Sequence, residues 1–290
     1  MDVRAILMGL AFVVMWSSAF SSARIIVAEA PPLSALALRF LISGLIGVAI
    51  ARALGQSWNL SRAQWRATVL FGICQNAIYL GLNFVAMQTV EASLAAIIAS
   101  TMPLLVALAG WVIFHERVGR LGLAGLVAGT VGVVIIMGTR MSAGVDNFGL
   151  LLTGIGVLGL TFATLAVRGA GGGKNMLMIV GLQMLVGAAV LAPFGIWLED
   201  PNVTLSTPLV LAFVYTTLIP GLAATLVWFQ LVERIGMVRA ATFHFLNPFF
   251  GVLIAAILLG EAVRGADLLG VLIIMLGILA VQVSKVRSRI

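Results

Sequence analysis

Two prolines, Pro103 and Pro248, interrupt strongly apolar stretches of this sequence, and polar residues precede both of them. Proline has no backbone N–H, so each one leaves the carbonyl four residues earlier, at Ala99 or His244, without its helical donor. Such a carbonyl needs another partner or water when the helix lies in lipid. The pair predicts two bent helices that line a polar cavity, with packing kinks healed by neighbouring helices as the alternative. The polar residues concerned are Ser100, Thr101, His244 and Asn247.

A polar stripe lies upstream of the first of these prolines. Gln75, Tyr79 and Asn83 follow one another at a spacing of four, and Asn76 adjoins them. Residues four apart share one face of a helix, and a polar face in a membrane protein turns away from lipid. The stripe predicts either a wall of the cavity or hydrogen bonds between helices, and the residues favour neither alternative.

Aromatic and hydroxyl residues at similar depth complete the predicted cavity. Substrate pockets are mostly apolar with a few polar contacts, so aromatic rings could form their flat walls. Packing between helices is the alternative, as is anchoring at the membrane surface for the tryptophan of the eighth predicted span. The residues are Trp16, Ser17, Phe162, Thr164, Trp228 and Phe243.

Arg39 is the one charged side chain well inside a predicted membrane span, about two turns from one end. A buried arginine is costly unless it is paired or hydrated. Snorkelling or a bond to a carbonyl of a neighbouring helix is therefore preferred over contact with an anionic group of a substrate. For His244, satisfying the helix that contains Asn247 and the neighbours of that helix is likewise preferred over donation to a substrate.

Three further positions are predicted to shape or gate helices. Pro220 is expected to bend the eighth predicted span. Glu116 and Glu261 close their spans at equivalent places in the chain. Each is expected to bond a facing helix end or a basic residue, with a gating role as the alternative.

Missing residue types restrict the chemistry further. No Asp or Glu falls in the middle of a predicted span, although ion-driven carriers usually hold a carboxylate at the coupling site. A carrier of this sequence is predicted to be a uniporter, with proton exchange through His244 as the weaker alternative. Neither paired mid-span aspartates nor a nucleophile elbow nor a zinc motif occurs, so we predict no enzyme, no cofactor and no metal. A channel is disfavoured because charge rings and filter sequences are lacking.

Composition places the chain in a membrane. Hydrophobic residues make up 62% of the 290 positions and charged residues 9%, which no soluble core could absorb. The connections are too short for an extramembrane domain, so no nucleic-acid partner is expected, and the single Cys74 excludes a disulfide within the chain. The sequence therefore predicts ten spanning helices. They are placed at 4–23, 33–51, 66–86, 92–114, 120–138, 149–168, 175–197, 208–231, 238–259 and 265–284.

The chain repeats itself. A shift by half its length aligns Glu116 with Glu261 and divides the sequence into copies at 1–145 and 146–290. Each copy holds five spans, and because five is odd the copies must be inverted in the membrane, enclosing a central cavity. Most lysines and arginines fall on the cytoplasmic side if the N-terminus lies there, so both termini are predicted to be cytoplasmic.

Each copy carries a proline-bearing helix, a glutamate and a glycine-rich helix, and this pattern resembles the drug/metabolite transporter superfamily, in its EamA-type branch. The resemblance covers essentially the whole chain. The second copy of the sequence has Gln183-Met184 near the place that corresponds to Arg39-Phe40, so a role for the arginine is not duplicated. The residues that carry the resemblance are Trp16, Arg39, Phe40, Pro103, Glu116, Pro248, Gly260 and Glu261.

The resemblance implies an exporter of small metabolites in a bacterial inner membrane, working by alternating access through a cavity lined by spans one, three, four, six, eight and nine. Within the family the chain is most similar to the bacterial aromatic amino acid exporters. Because Arg39 alone is basic at depth, neutral or zwitterionic cargo is preferred over phosphorylated cargo. Drugs and nucleobases remain alternatives to amino acids. The expected partners are a small-molecule substrate and the lipid bilayer, and the choice between monomer and homodimer stays open.

Overall fold

A backbone that crosses lipid must satisfy its own polar groups, and an α-helix does so within one segment. The computed structural model describes residues 2–116, 118–166 and 175–287, apart from the side chains of 237, 238 and 285–287. Over these ranges the chain forms ten helices of membrane-spanning length and composition and no strand, which confirms the predicted all-α, ten-span membrane fold. The predicted end of the sixth span, at 168, lies outside the described residues. Spans 1 to 10 are Val3–Glu29, Pro32–Ala53, Arg62–Ala86, Ala92–Val112, Arg120–Ser142, Asn147–Ala166, Met176–Leu198, Thr207–Ile235, Arg239–Leu259 and Gly265–Ser284.

The helices group into two units, and each unit draws on both halves of the sequence. The first unit comprises Met1–Ser21, Val90–Leu150 and Ala223–Ile290, and the second comprises Ser22–Thr89 and Leu151–Leu222. Spans 1 and 8 each contribute one part to the first unit and the other part to the second. The boundary between the sequence copies, at 145 and 146, concerns the repeat and stays a prediction.

In the first unit, spans 5 and 10 lie against each other along glycines. A methyl group at Gly125 would sit 2.7 Å from the carbonyl oxygen of Gly277, and one at Gly132 would sit 2.7 Å from that of Gly270. Real side chains do not approach a backbone so closely, so the two helices pack backbone against backbone. Small residues allow this approach, which is the close helix contact that their glycines predict.

In the second unit, spans 2 and 7 make the corresponding contact. A methyl group at Gly181 would lie 2.8 Å from the backbone nitrogen of Val48, and one at Gly44 would lie 3.0 Å from the carbonyl oxygen of Gly181. Helices that approach to this distance are held by van der Waals contact and not by water exclusion, since lipid is as apolar as their side chains.

A carboxylate from the end of span 7 holds the beginning of span 2. Glu199 accepts hydrogen bonds from the backbone N–H groups of Leu33, at 2.7 Å, and Ser34, at 2.8 Å, and from the hydroxyl of Ser34 at 2.8 Å. The first N–H groups of a helix have no partner within the helix, and the helix dipole favours negative charge there. Glu199 thus caps span 2 and links it to span 7.

Several spans leave regular α-geometry where the sequence places prolines or polar residues. Span 4 breaks at Thr101, between the helices Ala92–Ser100 and Met102–Val112. The other segments are a π-helix at Gly72–Leu80 in span 3, a π-helix at Ile219–Ala223 in span 8 and a 3-10 turn at Phe243–Leu246 in span 9. Such irregular turns often mark functional positions in helices. The π-helix of span 3 contains no proline, and the sequence did not predict it.

Candidate functional site

An aromatic cluster occupies the first unit where spans 1, 8 and 9 meet. The ring centroid of Phe12 lies 5.7 Å from that of Trp16, 4.8 Å from that of Trp228 and 5.3 Å from that of His244. The rings of Trp228 and His244 are 5.1 Å apart. Phe243 belongs to the same core as Phe12. Four of the predicted cavity residues are therefore neighbours, and Phe12, which the sequence analysis did not select, joins them.

An amide at the edge of this cluster has unused hydrogen-bonding capacity. Asn247 is 9% exposed, and its Nδ2 lies 2.9 Å from Nδ1 of His244. Ser17 donates from Oγ to the carbonyl of Asn247 at 3.3 Å. Within the described residues the Oδ1 atom of Asn247 has no hydrogen-bond partner. Because Nδ2 donates to Nδ1, the histidine carries its proton on Nε2 and is neutral. The site therefore offers one free acceptor and one ring donor.

The carbonyls released by the two prolines are satisfied by the backbone itself. A backbone N–H at the cap at Thr101 donates to Ala99, and one at the cap at Asn247 donates to His244. Tighter turns of this kind pair carbonyls that an α-helix end would leave open. Ala99 and His244 thus find in the backbone the other partner that the loss of the α-helical donor requires, and their carbonyls are not ready-made substrate contacts. Both spans do leave regular α-helix here, at Thr101 in span 4 and at Phe243–Leu246 in span 9.

The hydroxyls before the first proline are occupied within their own helix. Ser100 donates to the carbonyl of Ala96 at 2.6 Å, and Thr101 donates to that of Ile98 at 2.6 Å. Bonds of this type bend helices and leave the hydroxyl oxygen as an acceptor. Ser100 and Thr101 are both buried, and their predicted contact with a substrate stays a prediction.

In the second unit, the polar residues of span 3 lie on and beyond the π-helix. Asn76 donates to the carbonyl of Gln183 on span 7 at 2.9 Å, and Asn83 donates to that of Tyr79 at 2.8 Å. Asn76, Tyr79 and Asn83 are buried, whereas Gln75 is only partly buried. Asn76 therefore makes the interhelical bond that one alternative expects, and substrate contact by the stripe stays a prediction.

The two residues of span 6 that were predicted to line the cavity differ in exposure and in hydrogen bonding. Phe162 is 55% exposed and continues an exposed apolar face formed by Leu151, Ile155 and Leu158. A continuous apolar face on a spanning helix is suited to lipid, so this position favours lipid contact for Phe162, and its place in a pore stays a prediction. Thr164 donates to the carbonyl of Leu160 at 2.8 Å.

Arg39 bonds a neighbouring helix in the second unit. Its Nε atom donates to the carbonyl of Thr216 on span 8 at 3.2 Å, and its guanidinium lies 5.2 Å from the ring centroid of Phe40. One turn along span 2, Ser43 donates to the carbonyl of Thr217 at 3.3 Å. Both acceptors closely precede the π-helix that contains Pro220. The arginine thus makes the carbonyl bond that the sequence analysis prefers.

The two glutamates at the repeat-equivalent positions differ in surroundings. Glu261 accepts hydrogen bonds from the backbone N–H groups of Ala92, at 2.7 Å, and Ser93, at 2.9 Å. It therefore caps span 4 as Glu199 caps span 2, which is the helix-end role that the sequence predicts. Glu116 is exposed, and its backbone N–H donates to the carbonyl of Gly110 at 3.0 Å. A gating role for either glutamate stays a prediction.

Sequence reasoning missed an ion cluster in the first unit. Arg140 donates from Nε to Asp267 at 3.2 Å and from Nη2 to the other oxygen of the same carboxylate at 2.8 Å. Its Nη1 atom pairs with Glu91. Arg140 and Asp267 are buried and Glu91 is half-exposed. The predicted span ended at 138, which assigned Arg140 to a loop, whereas the helix continues to Ser142.

A polar groove of about 550 Å³ lies in the second unit, outside the predicted cavity. Two of its three acidic side chains serve the protein: Glu29 accepts from the hydroxyl of Ser206, and Glu199 caps span 2. The described residues include no group of three potential metal ligands. We therefore assign the groove no ligand. Its polar lining comes from Glu29, Gln88, Glu199, Asp200, Asn202 and Thr204.

Comparison with known proteins gives a family match over most of the chain. The model of the EamA-like transporter family matches twice, at residues 3–138 and 147–282. A solved crystal structure superposes with a TM-score of 0.69 at 23% identity, covering 100% of this chain and 99% of that one. At this identity the superposition shows the fold alone.

Relatives with known or proposed roles are distant. Protein PecM of Dickeya dadantii is 27% identical over 273 residues, covering 93% of this chain and 89% of its own length. The uncharacterized transporter YvbV of Bacillus subtilis is 23% identical, with 93% and 88% covered. The aromatic amino acid exporter YddG of Ancylobacter novellus is 29% identical over 141 residues, about half of each chain at 47%.

Proposed function

The chain belongs to the EamA-like transporter family, and from that premise we propose that it exports small neutral or zwitterionic metabolites, amino acids including aromatic ones foremost. Transport proceeds by alternating access as a facilitative uniport. Relatives named as transporters support the non-enzymatic class. The partial likeness to an aromatic amino acid exporter supports the substrate class.

The free amide oxygen beside the aromatic cluster is the observation that carries this proposal. A buried acceptor without a partner is costly, and a ligand that donates to it removes that cost. The ammonium group of an amino acid is such a donor, and rings attract cations across their faces. In this arrangement Asn247 Oδ1 accepts from the ammonium, and the proton on Nε2 of His244 is available to the carboxylate. The rings of Trp16 and Trp228 form the apolar wall.

The chemistry of the spans supports uncoupled transport. A driving ion needs a site that gains or loses charge in step with the substrate. Mid-span carboxylates are absent from the sequence, and the described buried carboxylate Asp267 is already paired with Arg140. His244 is the group in the aromatic cluster that could bind and release a driving proton. The alternative function, a proton-coupled carrier of drugs, nucleobases or other metabolites, depends on this residue.

The test is efflux from proteoliposomes preloaded with radiolabelled Phe, Trp, Leu, Met or Thr, without an ion gradient. We expect saturable release that Asn247→Ala and His244→Ala each reduce by about tenfold, as for the loss of a buried hydrogen bond to a charged group. Gly138→Ala is the matched control, because nothing lies within 4 Å of the added methyl group. It should release substrate at the wild-type rate.

The outcomes separate the candidate functions. Release that requires a proton gradient would refute uniport and favour the proton-coupled alternative. Release that neither variant alters would refute the site, whereas absence of release for every amino acid would refute the substrate class. Currents in single-channel recordings would refute the carrier mechanism itself.

We also propose a location in a bacterial inner membrane with both termini in the cytoplasm. The support is the bias of lysines and arginines in the sequence and the bacterial origin of several relatives. Fusion of a fluorescent protein or alkaline phosphatase to the C-terminus tests the orientation. Fluorescence without phosphatase activity is expected, and the reverse result would invert the topology.

A further inference from the structure

The side chain of Arg39 is buried in the second unit, and the described part of the chain gives it no counter-ion. It is 6% exposed, and no described carboxylate lies within ion-pair distance of it. A guanidinium in the hydrocarbon region carries a large free-energy cost unless other groups offset its charge. The surroundings of Arg39 must therefore supply negative potential from another source.

The carboxyl end of a helix supplies negative potential beside Arg39. Arg39 donates to the carbonyl of Thr216 at 3.2 Å, and Thr216 lies in the last turn of the helix Thr207–Leu218. The carboxyl end of a helix carries roughly half a negative charge. The α-helical donor to Thr216 would be the N–H of residue 220, and Pro220 has none. Pro220 therefore cannot supply the α-helical N–H for this carbonyl, which accepts a hydrogen bond from the guanidinium.

We propose that Arg39 is a positioning residue: together with Ser43 it holds the π-helical turn of span 8 at Pro220, and it does not bind substrate. Ser43 bonds the next carbonyl along, that of Thr217, at 3.3 Å, so two residues one turn apart on span 2 pin adjacent carbonyls. The charge of Arg39 is offset by the helix end that the proline creates. Arginine and proline therefore depend on each other although 181 positions separate them in the sequence.

The turn at Pro220 matters for transport because the helix that follows it carries a residue of the aromatic cluster. Span 8 leaves the second unit at Leu222 and continues as the helix Ala224–Ile235. That helix carries Trp228, whose ring belongs to the aromatic cluster. A change of angle at Pro220 alters the course of this helix and so the position of the ring. This step rests on the proposed transport function, whereas the pairing of Arg39 with the turn does not.

A double-mutant cycle tests the pairing. Arg39→Met, Pro220→Ala and the double variant are compared by equilibrium unfolding in mixed micelles, with the buried thiol of Cys74 as a reporter in the second unit. Arg39→Met should lower the unfolding midpoint in the wild-type background. It should lower it much less in the Pro220→Ala background, where the new alanine supplies a backbone N–H to the carbonyl of Thr216. Arg52→Met is the control, since Arg52 is exposed and stacks on Trp58, and its effect should not depend on Pro220.

Flux supplies the second readout. Arg39→Met should reduce the maximal rate about tenfold with KM changed less than about twofold, because the helix is misplaced and no substrate contact is lost. Arg39→Lys retains a charged donor and should recover most of the rate. A rise in KM with an unchanged maximal rate, equal in both backgrounds, would make Arg39 a substrate anion site and overturn the proposal.

The unfolding and flux measurements test different claims. Equal loss of stability from Arg39→Met in both backgrounds would overturn the proposal whatever the flux shows. If no amino acid is transported, the proposed function is refuted. The unfolding cycle then still tests whether the effect of Arg39 depends on Pro220. Should Arg39→Met fail to fold, the cycle is measured with Arg39→Gln, which leaves a neutral donor and carries the same prediction of a smaller loss in the Pro220→Ala background.

Discussion

Removing the charge of Asp267 should destabilise the protein more than almost any other polar substitution. Its carboxylate binds Arg140 through two hydrogen bonds of 3.2 and 2.8 Å, and it also accepts from the backbone N–H of Arg264 at 3.2 Å. Asp267 and Arg140 are both buried. In Asp267→Asn the guanidinium stays buried with only the half-exposed Glu91 to balance it.

The expected loss follows from the geometry of the pair. Breaking a buried ion pair by removing one partner lowers the free energy of unfolding by about 3 to 5 kcal/mol. Glu91 still pairs with Arg140, so the lower end, about 3 kcal/mol, is expected. Replacing both partners by apolar residues, as in Arg140→Met with Asp267→Leu, removes the uncompensated charge and should recover most of the loss.

Equilibrium unfolding of the purified protein in mixed micelles, followed by tryptophan fluorescence, measures these changes. Asp2→Asn is the matched control, because Asp2 pairs with Arg234 where both side chains are exposed, and solvent weakens such pairs. It should lower the midpoint far less than Asp267→Asn does. A loss below about 1 kcal/mol for Asp267→Asn, or an apolar double variant less stable than the single one, would refute the reasoning.

Three more predictions concern a helix cap, a glycine contact and a surface carboxylate. Glu261→Gln should lower the free energy of unfolding by about 1 kcal/mol in the same assay, because the cap of span 4 loses its charge; no change would mean that the cap is not needed. Gly132→Ala should lower the unfolding midpoint and Gly138→Ala should not, because a methyl group meets the backbone only at the first; equal effects would contradict the glycine contact. The hydrogen bond from Arg234 lowers the pKa of Asp2 from 3.8 to about 2. The bond to ionised Asp2 therefore contributes fully to the stability of the folded protein above pH 3.8. This contribution to stability is lost as the pH falls through about 2. Flux through wild type and Asp2→Asn should accordingly run parallel between about pH 5 and 8, and divergence there would contradict this assignment.

Features that depend on local pattern were predictable from the sequence. Apolar blocks of spanning length predicted the ten spanning helices of the described residues, and the prolines marked the interruptions of α-helix near Pro103, Pro220 and Pro248. The helix-end role of Glu261 followed from its place at the end of a span. In each case the signal lies within about twenty residues of chain, and the membrane leaves helices as the main way to satisfy the backbone.

Features that depend on partners far along the chain were not predictable. Arg140 was assigned to a loop because its partner Asp267 lies 127 positions away. The helix continues to Ser142, with the charge of Arg140 paired to that carboxylate. The spacing of four in span 3 implied a regular stripe, but the π-helix from Gly72 to Leu80 makes Asn76, not Gln75, the deeply buried amide. Phe12 was passed over because its role appears only beside Trp228.

The carboxylate caps have a consequence for how the protein is made. Spans 2 and 4 emerge from the ribosome early, but Glu199 and Glu261 come after the N–H groups that they cap by 165 to 169 residues. Until those residues have been synthesised, the first turns of both helices lack these acceptors inside or beside the bilayer. The cap of span 2 is therefore complete only after span 7 has been made, and that of span 4 only after span 9. A chain that stops after five spans contains both helices and neither of their carboxylate caps.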